Sequence, residues 1–184
     1  MGLIITLVVL AVVVLAVIGL YNKLVALGVR SDNAWADIDV QLKRRHDLIP
    51  NLVETVKGYA SHERETLDSV TAARTRAVAA KDGSPEQRAA AEAELGAALR
   101  GLTVAVEAYP ELQASGGFRD LQAQLGGIEE ALQAARRYYN AVVRELNTRV
   151  MQFPSNVVAN VFGFRSREFF EAEGVEREVP QVSF

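Results

Sequence analysis

The chain holds only two histidines, His46 and His62, and no cysteine. Imidazole and thiolate are the usual metal ligands, so this inventory limits metal chemistry at once. Lys43 and Tyr59 stand three residues before the two histidines. The Glu-x-x-His pattern of di-iron bundles is therefore absent. Asp39, Asp47 and Glu63 are near in sequence, but sixteen residues separate the histidines. No metal and no cofactor is expected, and both histidines read as surface or half-buried hydrogen-bonding groups.

Lys43, Arg44, Arg45 and His46 form a short basic run that could meet phosphate or lipid headgroups. Asp37, Asp39 and Asp47 flank it, with Asp39 four residues before Lys43, the spacing of an intrahelical ion pair. Ion pairing within and between helices is the expected use of the run. Trp35, Tyr138, Tyr139 and Phe153 could line a ligand pocket, but aromatics at helical spacing mostly pack a core. Asn140 and Asn147 lie seven apart, on one face of a helix, where buried amides can fix register. The glycine-containing stretches GSPEQ and SGGF fit neither phosphate-loop pattern. No nucleophile, base and acid can be grouped on any geometric ground, so no catalytic residue is expected.

The elements that carry these residues begin with an apolar stretch. Leu3 to Leu20 reads LIITLVVLAVVVLAVIGL, uncharged, with Thr6 its one polar side chain. At about 1.5 Å per residue this gives roughly 27 Å of helix, close to the hydrocarbon thickness of a bilayer. Leu3, Leu10, Leu15 and Leu20 mark its length, and Tyr21 would sit at the interface. A cleaved signal peptide would show a basic start, a shorter core and a cleavage site, which are not evident here. Lys23 and Arg30 follow the stretch and no basic side chain precedes it. The positive-inside tendency then places the following domain in the cytoplasm, on a single-pass protein of the cell (inner) membrane. The net charge of -3 shows no basic excess, so nucleic acid is not an expected partner.

Beyond the anchor, Leu24, Leu27, Ala34, Ile38, Leu42, Ile49, Leu52, Val56, Tyr59, Leu67 and Val70 recur at mostly helical steps. This predicts one amphipathic helix, kinked but continuous through Pro50. Gly28 is a weak helix former and could mark a joint between membrane and domain. Gly83, Ser84, Pro85 and Gln87 predict a helix end followed by a capping box. A helix through Ala89, Ala93, Leu95, Leu99, Leu102 and Val106 should follow. Pro110 and Ser115 to Gly117 mark the next bend, before a helix from about Phe118 to Met151. A short helix through Val157, Val158 and Val161 should end at Gly163. The fold class is all-α: a transmembrane anchor over 1–22, an elongated antiparallel helical bundle over 23–163, and an extended tail over 164–184.

Several stretches resemble the LemA family. They are YNKLVALGVRSDNAWADIDVQLKRRHDLIPNLVETVKGYASHERETLDSVTAAR from Tyr21 to Arg74, AYPELQASGGFRDLQAQL from Ala108 to Leu125, and ARRYYNAVVRELNTRVMQFPSN from Ala135 to Asn156. VFGFRSREFF and the closing PQVSF extend the likeness to the end of the chain. The resemblance implies a bacterial protein with an N-terminal membrane helix and a helical bundle, and implies no enzymatic activity. Gly28 with Val29 departs from the family, which often has a charged residue there. The expectation is a non-enzymatic, membrane-tethered scaffold. Its partners would be the lipid bilayer, an unidentified membrane or cytoplasmic protein, and a second copy of the chain. Phe169, Phe170, Val182 and Phe184 are the expected partner contacts. The alternative is a ligand-sensing or transport-accessory module, with a small molecule or lipid between helices near Trp35 or Tyr139.

Overall fold

The computed structural model describes residues 1–60 and 62–171. Its elements are α1 (Gly2–Tyr59), α2 (Arg64–Ala79), α3 (Pro85–Val106), α4 (Pro110–Ala114), α5 (Gly116–Met151) and α6 (Ser155–Phe162), with a 3-10 turn at Ala80–Asp82. The protein is all-α, and no strand occurs among the described residues. By packing, the chain divides into two compact units. Among the described residues, unit 1 comprises 1–37 and 137–167, and unit 2 comprises 38–136 and 168–171.

α1 is a single helix of 58 residues. Its opening stretch is long and apolar enough to cross a membrane and exposes its side chains on every side. Gly28 lies inside the helix without a break, so it is no joint in the backbone. From Leu24 onward one face closes: in unit 1 Leu24, Leu27, Ser31 and Ala34 are buried at helical steps. Leu24 and Leu27 pack on Leu146 of α5 and on Val158 and Ala159 of α6.

α6 ends as its sequence predicts. Gly163 adopts a left-handed φ of 76°, and the Phe164 N–H bonds back to the Ala159 carbonyl at 2.9 Å. The stretch from Phe164 to Glu171 carries no helix. Asn147 holds its backbone in both directions. Asn147 Nδ2 donates to the Arg167 carbonyl (2.9 Å), and the Arg167 N–H donates to Asn147 Oδ1 (2.8 Å). The Arg167 guanidinium also meets Asp32 of α1. The amide expected to fix register between helices thus orders the segment after α6 instead.

In unit 2, Ile49, Leu52, Val56 and Ala60 pack against Leu67, Val70, Ala73 and Ala77 of α2 and Leu95, Leu99, Leu102 and Val106 of α3. Leu112 of α4 and Phe118 of α5 close this core. Pro50 lies within α1, and having no N–H it leaves the His46 carbonyl without its helical donor. Arg74 of α2 supplies one: its Nε donates to the His46 carbonyl at 2.7 Å. The helix expected to reach Val70 ends at Tyr59. Ala60 is fully buried, and its N–H closes the last turn on the Val56 carbonyl at 2.8 Å. The eight-residue step from Tyr59 to Leu67 keeps the helical phase across a turn.

The α2–α3 connection follows its local code. Ser84 Oγ accepts from the Gln87 N–H, Gln87 Oε1 accepts from the Ser84 N–H, and Pro85 opens α3. A Cβ at Gly83 would lie 2.8 Å from Gln87 Oε1, so the reciprocal cap requires glycine there.

Candidate functional site

α3 presents Arg88 and Glu92 four residues apart, on the face that also carries Leu95, Leu99 and Leu102. Both are buried, as is Arg45 of α1, which is 4% exposed. Arg45 Nη1 donates to Glu92 Oε2 at 3.0 Å. Its Nε lies 2.7 Å from Glu129 Oε1 of α5, a charge contact without the alignment of a hydrogen bond. His46 Nε2 is 2.7 Å from Glu92 Oε1. An ionised carboxylate only accepts, so Nε2 carries the proton in that contact. Arg88 Nη2 stands 2.6 Å from Asp39 Oδ1. Three helices thus contribute to one charged layer inside an otherwise apolar bundle.

A cavity of about 270 Å³ opens beside this layer. Arg45, Glu92, Arg100, Glu129, Arg136 and Phe170 line it. A Cβ at Gly96 would lie 3.3 Å from Arg45 Nη2 and 3.6 Å from Arg100 Nη1. The Arg136 guanidinium carbon stands 5.6 Å from the centre of the Phe170 ring.

The basic run at 43–46 is divided by helix geometry. Lys43 turns outward to Asp47 (2.6 Å), Arg44 is exposed, and Arg45 and His46 turn inward. The expected Asp39–Lys43 pair gives way to Lys43–Asp47 and Arg88–Asp39. The Lys43 hydrogen bond holds the Asp47 carboxyl below the usual carboxylate range. Across the bundle, Tyr109 donates to Glu63 Oε1 at 3.0 Å. That bond, aided by burial, pushes the Tyr109 phenol above its ordinary value.

Leu3, Leu10 and Leu15 stand exposed along α1, while Leu20 packs at the edge of the unit 1 core. Phe170, expected at a partner surface, is instead 1% exposed and belongs to the interior of unit 2. Phe169 is half-buried, and Val182 and Phe184 lie outside the described residues. Trp35 and Tyr139 pack ring against ring, with centroids 5.2 Å apart, as core aromatics. Tyr138 and Phe153 are exposed, which corrects their expected place in a core. Tyr21 meets Phe162 and Phe164, with centroids 4.8 and 5.7 Å away.

Sequence reasoning missed Arg88, Glu92 and Glu129. Arg88 and Glu92 fall in the phase of Leu95, Leu99, Leu102 and Val106, and that phase was the available signal. The expected stripe opens on Ala89 and Ala93; Ala89 is buried with Leu95, Leu99, Leu102 and Val106, while Ala93 is exposed. Among the described residues, no group of three or more histidines and carboxylates converges to hold a metal ion.

The sequence model of the LemA family matches residues 34–184. The chain is also similar to magnetosome protein MamQ 2 of Paramagnetospirillum magneticum, 25% identical over 175 residues, covering 82% of this chain and 64% of the relative. Magnetosome protein MamQ of Magnetospirillum gryphiswaldense is 25% identical over 174 residues, with the same two coverages of 82% and 64%. Protein LemA of Metamycoplasma hominis is 24% identical over 160 residues, covering 87% of this chain and 73% of the relative. The chain therefore spans a little under two thirds of the length of the magnetosome relatives it matches.

Proposed function

Because the chain belongs to the LemA family, we propose that it is a non-enzymatic scaffold, tethered to the cell membrane by the start of α1 and presenting a helical domain to partner proteins. The observation that carries this reading is the state of α1. One helix runs from an apolar segment exposed on every side into a stripe buried against α5 and α6. Exposed apolar side chains over such a length are costly in water and favourable in lipid. Lys23 and Arg30 favour a cytoplasmic domain by the positive-inside tendency.

Tethering raises the local concentration of the domain near other membrane proteins, so modest contacts suffice for assembly. Phe169, the exposed Phe153 and the tail residues Val182 and Phe184 are the partner contacts in this proposal. Phe170 is not among them.

The test is fractionation of the full chain after cell lysis, with an alkaline wash of the membranes. The wild type should stay in the pellet. Leu10→Arg with Leu15→Arg should move it to the supernatant, since each central arginine costs about 2.5–3.5 kcal/mol on insertion. A wild-type chain found in the supernatant would remove the tether. Crosslinking in intact membranes should then give a discrete adduct with another protein or with a second copy, and a chain that yields only itself uncrosslinked would remove the scaffold. A second reading, a ligand-responsive module, is favoured by the charged cavity of unit 2 rather than by the Trp35–Tyr139 pair.

A further inference from the structure

From the lining of that cavity we infer that unit 2 binds a small organic anion, a few-carbon carboxylate or phosphate ester, between Arg45, Arg100 and Arg136. A volume of about 270 Å³ lies near the lower end for small-molecule sites and fits a compact ligand. Its two carboxylates are already engaged: Glu92 by Arg45 and His46, and Glu129 by Arg45. Arg100 and Arg136 line the same space, and among the described residues neither has a carboxylate partner. Among the described lining residues the surplus charge is therefore positive, on guanidinium groups whose planar forks match carboxylate and phosphate oxygens.

Two further observations point to a ligand. Arg45 is 4% exposed, with Nη1 on Glu92 and Nε against Glu129, and its guanidinium borders the cavity. Glu92 and Glu129 hold that group in place, so a ligand would meet a pre-ordered donor and not a solvated side chain. At Gly96 the absent side chain leaves room beside Arg45 Nη2 and Arg100 Nη1. Any larger residue there would project between the two guanidinium groups. The Arg136 guanidinium stands over the Phe170 ring at the cavity wall. This inference does not depend on the tether, because every group it uses belongs to unit 2.

Isothermal titration calorimetry tests it, on the full chain in neutral phosphatidylcholine nanodiscs, with inorganic phosphate, succinate and uncharged succinamide as probes. Phosphate or succinate should bind and succinamide should not. Arg100→Gln and Arg136→Gln should each weaken binding by about tenfold or more, as expected for a lost charge-assisted hydrogen bond. Both side chains lie outside the packed core, so the variants should keep the wild-type circular dichroism spectrum. Gly96→Leu keeps every charge and should abolish binding by filling the space. The inference is overturned by the absence of heat with either anion at millimolar concentration. Binding that survives both arginine substitutions overturns it too, as does equal binding of uncharged succinamide.

Discussion

Arg45 and Glu92 sit in a setting where electrostatics is least forgiving. Removing two charges from water costs several kcal/mol each, and their mutual attraction offsets this only when both are present. The partner at Glu129 adds less, because its side chain is 36% exposed and screened by water. Arg45→Met alone should lower unfolding stability by about 3–5 kcal/mol, because it strands the buried Glu92 carboxylate. Arg45→Met with Glu92→Leu should recover most of that loss, and urea unfolding followed by circular dichroism measures both. A double variant as weak as the single one would mean that His46 or the helix packing, and not the charge pair, sets the energetics. Tyr109 supplies a separate handle. Its folded-state pKa is raised above the ordinary 10.0, first by the hydrogen bond to Glu63. An acid whose folded pKa is raised contributes stability that is complete below the unfolded value and lost as pH rises through the folded one. Stability should therefore fall above about pH 10 as the phenolate forms. Glu63→Gln should bring the phenol back toward its ordinary value, read from the phenolate absorbance band.

Among the elements, α1 shows how a local rule and a tertiary contact combine. Proline inside a helix removes a donor, and the orphaned carbonyl of His46 would be costly if left unpaired. Arg74 answers it from α2, so the hydrogen-bond ladder is completed by another helix. Arg74→Ala should cost about 1.5–3 kcal/mol, the range for hydrogen bonds to charged groups. In a Pro50→Ala background the peptide N–H is restored and the cost of Arg74→Ala should shrink, a coupling that a double-mutant cycle reads from chemical unfolding. Equal losses in both backgrounds would show that Arg74 does not serve the proline. The elements were legible to different degrees for physical reasons. Caps are encoded within four residues, so Ser84 to Gln87 and Gly163 could be read directly. The end of α1 at Tyr59 goes with burial of Ala60 in the unit 2 core, to which α2 and α3 also contribute, and no local residue pattern announces it. Periodicity alone carries a stripe through such a turn when the phase happens to be kept.

For the molecule as a whole, the apolar start of α1 and the all-α class were legible because solvation and periodicity act along the chain. The charged layer was not. Ion pairs within and between helices were legible in the run, and Lys43–Asp47 and Arg45–Glu92 are such pairs, but lysine, arginine and histidine in sequence do not say which will turn inward. Only the positions of Arg88, Glu92 and Glu129 on other helices decide that. Phe170 was misplaced for a related reason: an irregular segment gives no period, so nothing local separates a ring that packs from one that is offered. Gly163 and Asn147 determine where that segment runs, one by backbone conformation and the other by a paired amide.

The lack of any joint in α1 between Gly2 and Leu27 has a mechanical consequence. A helix without a hinge turns as one body, with successive side chains fixed about 100° apart around its axis. If the bilayer segment turned on its axis, Leu24 and Leu27 would be swept out from between α5 and α6. The packing of those two leucines therefore sets which side of the span faces which lipids or neighbours. Whatever twists the span from within the membrane must work against the core of unit 1.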